Sequence, residues 1–400
     1  MTTHSMNNAL SIRDLETAAR KRLPASIFGY VSGGSEDLLT LRANRAAFDA
    51  WRFVPRPLVN VAKRSQKVEL FGKTYSAPVG IAPMGVATLC HFDGDVALAR
   101  AAHEAGQPYV LSAASTTPLE RVAQVNPDTW YQAYLPADTA VIGPLLERVA
   151  AAGIGVLVVT VDVQIASMRE NEIRNGFSIP LRPNPTLIMG GLLRPRWLLG
   201  NFVRTLLAQG VPHFENFTAT RGGPIIRATP GDHRAGRAAM TWEEIRWIRE
   251  RWNGALLVKG LLRASDAVMA QSIGVDGVVV SNHGGRQLDG TVTSLDALPA
   301  MALAAPGLPL ILDSGIRRGT DVLKALALGA HATLVGRPAM YGLAAAGQAG
   351  AAQALALFKR EIDVDLALLG CADIAQLSTD FLCRAGEVLA ADNIPLKELP

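Results

Sequence analysis

The chain has 400 residues, of which 49% are hydrophobic and 18% are charged, so it can bury a large core as one α/β barrel or two smaller domains. This composition excludes a disordered chain, and a formal net charge of +4 at this length does not indicate nucleic-acid binding. The sequence contains no secretion-signal pattern, no apolar run of about 18 residues that predicts a spanning helix, and no metal-ligand spacing.

Repeated strand–helix units are predicted from residue 79 onward, because short apolar segments alternate with helix-length segments. Eight such strands predict a TIM (β/α)8 barrel. Residues 1–75 are expected to add an amino-terminal helical extension and residues 351–400 further helices, which makes 1–400 a single domain. The predicted strands are 79–82, 109–112, 130–134, 156–161, 256–258, 278–280, 310–312 and 333–335, and the helices between them include 94–105, 141–152, 265–273 and 320–328.

A long insertion, about 175–240, separates the fourth and fifth predicted strands. Residues 173–214 contain no acidic residue, while five arginines punctuate leucine-rich apolar stretches. This composition is typical of a monotopic segment that lies in a membrane interface, so we predict a membrane-surface segment at about 177–214. The alternative is a segment that caps the barrel or contacts another subunit. Residues 221–237 are expected to form a loop over the active site, and residues 242–252 a helix.

A loop with the sequence SNHGGRQLDG, residues 281–290, follows the sixth predicted strand, where barrel enzymes carry their chemistry. It brings His283 and Arg286 together across two glycines. A histidine can accept a proton near neutral pH, and a guanidinium can bind a carboxylate with two parallel hydrogen bonds. The loop therefore predicts chemistry on a small carboxylic acid; by itself it could also be an ordinary glycine-rich turn.

The loops after the seventh and eighth strands offer glycines and arginines, at the place where such barrels often bind phosphate. Gly315, Arg317, Gly336 and Arg337 predict a phosphate anchor, against the alternative of tight turns with solvated arginines. Lys259, at the end of the fifth strand, could hold negative charge on an aromatic ring system.

These motifs resemble the FMN-dependent 2-hydroxy acid dehydrogenase and oxidase family, which includes glycolate oxidase and mandelate dehydrogenase. The resemblance covers nearly the whole chain. Within the family, LRPRWLLGNFVR and CADIAQLSTDFL most resemble the membrane-associated (S)-mandelate dehydrogenases. The motifs, in the family's order, are FGYVSGGSED, IAPMG, YQAY, TVD, LVKG, SNHGGRQLDG, LDSGIRRGTDVLKALALG and LVGRP.

The resemblance implies FMN as cofactor and oxidation of an (S)-2-hydroxy acid, preferably an aromatic one such as mandelate, to the 2-keto acid. Electrons would pass to a membrane quinone or another carrier. It also implies a homotetramer held peripherally on the cytoplasmic side of the inner membrane. The alternatives are an oxygen-using oxidase that produces hydrogen peroxide, an FMN-dependent isomerase, and a non-catalytic flavin- or phosphate-binding protein at the membrane.

The resemblance also implies a role for individual residues. His283 would take the substrate proton and Asp162 would stabilise the imidazolium, while Arg169 and Arg286 would bind the substrate carboxylate. Tyr30 and Tyr134 would supply hydroxyls to the substrate. Lys259 would stabilise charge on the reduced flavin. The remaining flavin, ribityl and phosphate contacts would come from Pro83, Met84, Gly85, Ser112, Gln132, Thr160, Ser281, Asp313, Ser314, Gly315, Arg317, Gly336 and Arg337.

One position departs from the family pattern. Ser167 stands two residues before the Arg169–Glu170 pair, where the family usually has glycine, so the aim of Arg169 is expected to depend on this turn. Two further alternatives concern single residues: Asp162 could be a helix cap, and Tyr30 or Tyr134 could be core residues with satisfied hydroxyls. Small or apolar residues at Val31 and Ala114 would leave room for a substrate ring.

Overall fold

Three helices begin the fold in a computed structural model that describes residues 9–227 and 236–386. They are Ile12–Arg22, Ala25–Ser32 and Leu39–Asp49. Ser11 begins the first helix, because its hydroxyl accepts a hydrogen bond from the backbone of Asp14 while the Asp14 carboxylate accepts one from the backbone of Ser11. The predicted helical extension is confirmed for these residues; positions 1–8 lie outside the described ranges.

Three short strands, β1 (Trp51–Phe53), β2 (Val68–Leu70) and β3 (Lys73–Tyr75), follow these helices and were not predicted. β2 and β3 form an antiparallel hairpin. Its turn residues Phe71 and Gly72 both have positive φ, at 50° and 79°, which suits a two-residue turn between twisted strands.

Eight parallel strands then close into the predicted TIM barrel. The last strand, β11 (Ala332–Val335), pairs with the first, β4 (Val79–Ile81), to complete the ring. Seven of the predicted strands agree with the structure to within one residue at each end. The exception is the fifth barrel strand, β8 (Ala255–Leu261), which continues beyond its predicted end because the register of its strand pairing shifts at Gly260. The strands are β4 (Val79–Ile81), β5 (Tyr109–Ser112), β6 (Thr129–Ala133), β7 (Val156–Thr160), β8 (Ala255–Leu261), β9 (Gly277–Val280), β10 (Leu310–Asp313) and β11 (Ala332–Val335).

The main hydrophobic core lies between this barrel and the helices around it. The four helices predicted between strands are all present, with ends shifted by no more than two residues, and 242–252 is helical at its start. The surrounding helices are Gly94–Ala105, Leu119–Val125, Thr139–Ala151, Trp242–Arg249, Ala264–Ile273, Ser294–Ala304 and Gly319–Ala327.

The barrel interior consists of two layers. The lower layer is apolar and is formed by Val110, Trp130, Val158, Leu257, Val279 and Ile311, with Leu70 and Tyr75 of the β2–β3 hairpin packed against them. Side chains on a strand alternate between its faces, so the residue two positions later also points inward. On six of the eight strands this residue is polar and buried: Ser112, Gln132, Thr160, Lys259, Ser281 and Asp313. These six form the polar upper layer, and β4 and β11 contribute the apolar Ala82 and Leu334 beside it.

Short helices lie just before the insertion after β7 and in its first half. These helices are Glu170–Arg174, Pro185–Leu192, Pro195–Trp197 and Arg204–Gln209, and a π-helical segment, Leu198–Val203, joins the last two. Trp197 Nε1 and Asn201 Nδ2 both donate hydrogen bonds to the carbonyl of Leu89, at 2.8 and 3.0 Å, which attaches this segment to the barrel. Residues 228–235 of the insertion and of the predicted active-site loop lie outside the described ranges.

The carboxyl-terminal region is only partly the helical tail that was predicted. A helix from Arg337 to Leu369, kinked at Ala346 and Gly347, is followed by short 3-10 turns and by β12 (Leu382–Arg384), which pairs antiparallel with β1. The prediction was wrong for β12, because a strand completed by a partner more than 300 residues away leaves no local pattern. The tail beyond 386 is not described. No helix within 9–227 or 236–386 is both long and apolar enough to cross a bilayer.

Candidate active site

A cavity opens at the carboxyl ends of the barrel strands, where most of the predicted site residues meet. Val31 and Ala114, predicted to border the substrate side chain, also line it. The other predicted residues in its wall are Tyr30, Pro83, Met84, Gly85, Tyr134, Arg169, Lys259, His283, Arg286, Asp313, Ser314, Gly315, Arg317, Gly336 and Arg337.

Five predicted residues lie behind the cavity wall: Asp162, Ser112, Gln132, Thr160 and Ser281. Hydrogen bonds connect most of them to it. Ser281 Oγ accepts from Lys259 Nζ at 2.9 Å, and Ser112 Oγ accepts from the backbone of Ala114 at 3.1 Å and donates to Gln132 Oε1 at 2.9 Å. Thr160 is the strand neighbour of Lys259.

His283 and Asp162 form a partly buried pair at the cavity. Asp162 Oδ1 lies 3.0 Å from His283 Nδ1, so it accepts the proton carried there and leaves Nε2 as an acceptor. Asp162 therefore orients a side chain and is not a helix cap. Burial lowers the pKa of His283 although Asp162 opposes this, so the imidazole is neutral at neutral pH. Burial alone would raise the pKa of Asp162, but His283 and Lys259 reverse this and lower it.

The loop that carries His283 has an unusual backbone. His283, Gly284 and Gly285 all have positive φ, at 58°, 68° and 71°. Ser281 Oγ accepts from the backbone of His283 and Ser314 Oγ accepts from that of Gly284, both at 3.0 Å. A left-handed backbone is costly for histidine, and these hydrogen bonds hold it there.

Lys259 is a buried cation supported by carboxylates. Its ammonium lies 3.2 Å from Asp313 Oδ2, and Ser281 Oγ donates to the same oxygen at 2.7 Å. Burial disfavours the ammonium form, but Asp313 and Asp162 more than offset this and raise the pKa of Lys259. Lys259 therefore presents a positive charge to the cavity from the upper layer of the barrel.

Both predicted tyrosines line the cavity, so they are not simply core residues. Tyr134 Oη lies 3.4 Å from His283 Nε2, and Tyr30 Oη donates to the carbonyl of Gly85 at 3.3 Å. Burial raises the pKa of Tyr134, and it raises that of Tyr30 to about 12, so both remain protonated donors at neutral pH.

The two arginines expected to bind a carboxylate are adjacent in the cavity wall. Arg286 Nη1 donates to the carbonyls of Tyr30 and Gly33, at 2.7 and 3.1 Å. Ser167 does not have the positive φ that would require glycine. Arg169 Nε donates to Ser167 Oγ at 3.0 Å, so this serine helps to orient the Arg169 guanidinium.

The end of the cavity where a phosphate anchor was predicted contains two further arginines, both partly buried. In the described part of the chain, Arg317 Nη1 donates only to its neighbouring carbonyl, Ile316, and Arg337 Nη2 donates to the carbonyls of Gly33 and Gly284. Burial lowers the pKa of Arg317, and burial together with Arg286 and Arg317 lowers that of Arg337 to about 9. Two partly buried cations in this position favour an anionic ligand.

The sequence interpretation missed an apolar wall on the insertion side of the cavity. Val163, Ile179, Phe214 and Phe217 line it, and Arg237 lies with its guanidinium 4.6 Å from the ring centre of Tyr134. Phe214 and Phe217 pack together at 5.1 Å. The closely spaced phenylalanines were the one available sequence signal, but they lie outside the strand–helix repeat on which the prediction depended.

Comparisons with known proteins agree with this geometry. Residues 19–384 match the family described as FMN-dependent dehydrogenase. The chain belongs to the FMN-dependent dehydrogenase family. It is 42% identical to an (S)-mandelate dehydrogenase from Pseudomonas putida, over 95% of both chains, and 38% identical to an L-lactate oxidase from Lysinibacillus sphaericus, over 93% of this chain and 92% of that one. The crystal structure of a monotopic membrane (S)-mandelate dehydrogenase superimposes with a TM-score of 0.87 at 40% identity, covering 94% of this chain and all of that one.

The family assignment confirms the predicted class, an FMN-dependent 2-hydroxy acid oxidoreductase, and the predicted cofactor. The residues of this FMN-dependent dehydrogenase fit FMN. Gln132 Nε2, Thr160 Oγ1 and Arg337 Nε are buried polar atoms without a hydrogen-bond partner in the described part of the chain. Buried polar atoms are rarely left unpaired. A flavin ring above the polar layer, with its phosphate at Arg317 and Arg337, would supply those partners.

Proposed function

We propose that the protein oxidises an (S)-2-hydroxy acid, preferably an aromatic one such as mandelate, to the 2-keto acid. The bound FMN would accept the two electrons and pass them to a membrane quinone or another carrier. The observation that carries the proposal is the position of His283 Nε2, left as the acceptor nitrogen because Nδ1 pairs with Asp162, in the same cavity wall as two arginines. A proton acceptor beside a carboxylate-binding pair is what this oxidation requires.

His283 is proposed as the base, and Asp162 as the residue that fixes its tautomer. As His283 takes the substrate proton it becomes an imidazolium, which the Asp162 carboxylate stabilises at 3.0 Å. Tyr134 Oη, 3.4 Å from the other ring nitrogen, His283 Nε2, is placed to donate to the substrate oxygen. This arrangement serves the reaction whether the electrons leave as hydride or after carbanion formation.

Arg169, Arg286 and Tyr30 are proposed to bind the substrate carboxylate. Arg286 and Arg169 line the cavity on the side of the amino-terminal helices, and the Arg286 guanidinium lies 4.9 Å from the ring centre of Tyr30. A carboxylate bound there leaves the hydroxyl-bearing carbon free to approach His283.

The cofactor would be held between the polar layer and the last two barrel loops. We propose that Lys259 stabilises negative charge on the reduced ring, and that Ser112, Gln132, Thr160 and Ser281 contact the ring or ribityl chain. Pro83, Met84 and Gly85 would pass their backbone along the ring. Asp313, Ser314, Gly315, Arg317, Gly336 and Arg337 would hold the ribityl chain and phosphate.

An aromatic substrate is supported by the apolar part of the cavity. Val31, Ala114, Ile179, Phe214 and Phe217 supply small or apolar surface opposite the polar groups. Aromatic rings pack well against such walls, which would contribute affinity for a phenyl side chain. The mandelate dehydrogenase relative is consistent with this preference.

Peripheral membrane binding is supported by an exposed apolar surface on the insertion. This surface, here called the insertion face, is formed by Ile188, Met189, Leu192, Leu193, Leu199, Phe202, Leu206 and Leu207. Arg182, Arg196 and Arg204 are exposed in the same segment and could bind anionic head groups. We propose that this face lies in the cytoplasmic leaflet of the inner membrane, as the resemblance to a monotopic membrane enzyme suggests. We also propose, from the resemblance, that the protein is a homo-oligomer, namely a tetramer. Each chain would form one catalytic domain.

Similarity to a lactate oxidase favours one second candidate, an oxygen-using 2-hydroxy acid oxidase. The test is anaerobic titration of the purified holoenzyme with (S)- and (R)-mandelate and (S)- and (R)-lactate, followed by reoxidation with a quinone or with air. We expect rapid flavin bleaching by (S)-mandelate and fast reoxidation by the quinone. Stoichiometric peroxide in air would favour the oxidase, and no bleaching by any 2-hydroxy acid would refute the proposal.

A further inference from the structure

Two partly buried arginines, Arg169 and Arg286, lie side by side in the proposed substrate site and repel each other. Burial, with the charge of Arg286 next in effect, lowers the pKa of Arg169 to about 10. Like charges in a partly dry site repel each other strongly, so their arrangement requires an anion or rigid hydrogen bonding. The structure contains both: the anion is Glu172, and the hydrogen bonding comes from Ser167.

Glu172 supplies the anion. Its Oε1 accepts a hydrogen bond from Arg286 Nη2 at 2.7 Å and lies 3.7 Å from Arg169 Nη1, so a single oxygen serves both guanidinium groups. The side chain is 12% exposed. Glu172 reaches this position from the short helix Glu170–Arg174, one turn beyond Arg169.

Ser167 supplies the rigid connection. Its hydroxyl donates to the carbonyl of Arg286 at 2.6 Å and accepts from Arg169 Nε at 3.0 Å. Arg169 Nη2 also donates to Gln287 Oε1 at 3.0 Å. Arg169 Nε also donates directly to the carbonyl of Arg286, at 3.1 Å. Ser167 therefore adds a second, bridging connection between the side chain of one arginine and the backbone of the other, which a glycine at this position could not supply.

We propose that Glu172 and Ser167 are positioning residues for substrate recognition, and that they set the charge and the relative orientation of the arginine pair. Two guanidiniums and one carboxylate leave this group with a charge of +1, which one substrate carboxylate neutralises. Glu172 thereby matches the site to a monocarboxylate head group and disfavours a doubly charged one. The inference rests on the proposed carboxylate-binding role of Arg169 and Arg286.

The charge is tested with two isosteric anions that differ by one unit, oxalate and its monoamide oxamate. Their dissociation constants are measured from flavin absorbance changes in the oxidised holoenzyme, without turnover. In E172Q the arginine pair carries +2, so the preference for oxalate over oxamate is expected to rise at least about tenfold. E172D retains the charge and should keep the wild-type ratio while weakening both anions. An unchanged ratio in E172Q would overturn the role of Glu172.

The orientation is tested at Ser167 with steady-state kinetics. S167A removes both hydrogen bonds and is expected to raise KM about fivefold to tenfold, with a smaller change in kcat and an unchanged oxalate-to-oxamate ratio. S167T keeps a hydroxyl and should restore KM. Unaltered KM in S167A would overturn this role. If E172Q does not retain FMN, the charge argument is tested with E172D alone. A change in the oxalate-to-oxamate ratio in E172D would then contradict that argument.

These outcomes also separate the inference from the function on which it rests. If neither anion perturbs the flavin spectrum of the wild-type protein, the carboxylate-binding role of the arginines fails. If both anions bind the wild type and E172Q changes their affinities equally, only the role of Glu172 fails.

Discussion

The cavity at the barrel mouth and the insertion face are opposite exceptions to the usual distribution of residues. The cavity buries charged and polar groups, among them Lys259, Asp313 and Gln132, while the insertion face exposes leucines and a phenylalanine to solvent. The helical insertion even reverses the normal pattern of a surface helix. Asn201 and Thr205 are buried with Trp197, and Leu199, Phe202 and Leu206 are exposed.

Burying polar groups and exposing apolar ones both destabilise the chain when it is alone in water, and each therefore indicates a binding partner. Buried polar groups require partners, and an exposed surface of eight large apolar side chains is unusual for a protein that contacts only water. In the cavity a flavin and a substrate anion would supply the partners, and at the insertion face a membrane would cover the leucines. The comparison predicts that substitutions in one region leave the function of the other intact.

Replacing His283 with alanine should have the largest effect. Loss of the proton acceptor is expected to slow flavin reduction by about 10⁴-fold, the upper part of the range for general base catalysis. FMN content and vesicle binding should remain at wild-type values, because His283 contacts neither the phosphate end nor the insertion face. Stopped-flow reduction under anaerobic conditions measures the rate, and wild-type bleaching in this variant would contradict the assignment of the base.

The substitution D162N should reduce kcat/KM by about 10²–10³-fold, because the imidazolium loses its counter-ion. It should also move the pH profile. His283 acts as a base only when neutral, so activity is lost as the pH falls through its pKa. Asp162 raises that pKa against the effect of burial, and its removal should therefore shift the acidic limb to lower pH. A shift to higher pH would show that another group controls the limb.

R317Q should weaken FMN binding by about 10- to 100-fold, since one charge-assisted hydrogen bond to the phosphate is lost. Affinity for riboflavin, which lacks the phosphate, should not change. R318Q is the matched control: Arg318 is the adjacent residue but is exposed and pairs with Glu361 at 3.1 Å. Equal losses for FMN and riboflavin, or equal losses in both variants, would place the phosphate elsewhere.

L207S should have the smallest effect, a roughly tenfold weaker partition into vesicles containing anionic lipid, since one buried leucine contributes about 1.5–2 kcal/mol. Turnover with a soluble dye acceptor should not change. L303S is the control, because Leu303 is equally exposed, at 85% against 84% for Leu207, but lies on a helix outside the insertion. Co-sedimentation measures the difference; equal partition of the two variants would argue against the insertion face as the contact.

Much of the fold and most of the site could be predicted from local pattern. Apolar strand segments continue into polar residues at their carboxyl ends, and the alternation of side chains is enough to predict that Gln132, Thr160 and Lys259 share one layer. The glycines of residues 281–290 marked the unusual turn at His283. Such features are encoded within a few neighbouring residues, which is why the barrel was predicted correctly and why the position of polar groups at its strand ends could be read from the sequence.

Other features depend on contacts between distant segments. β12 forms only because β1 offers a strand edge, and Phe214 and Phe217 reach the cavity only because the insertion folds back over the barrel. Glu172 could not be selected from the sequence, because its partner Arg286 lies 114 positions away in the chain.

The sequence by itself determined the barrel, the strand-end polar layer and the family resemblance, because periodicity and motif order are properties of the chain. Only the tertiary structure decided the 3.0 Å separation of His283 and Asp162, the contacts of Ser167 and Glu172 with the two arginines, and which insertion side chains face solvent. The physical reason is that charge interactions and burial depend on distances in space, which the order of residues along a chain does not specify.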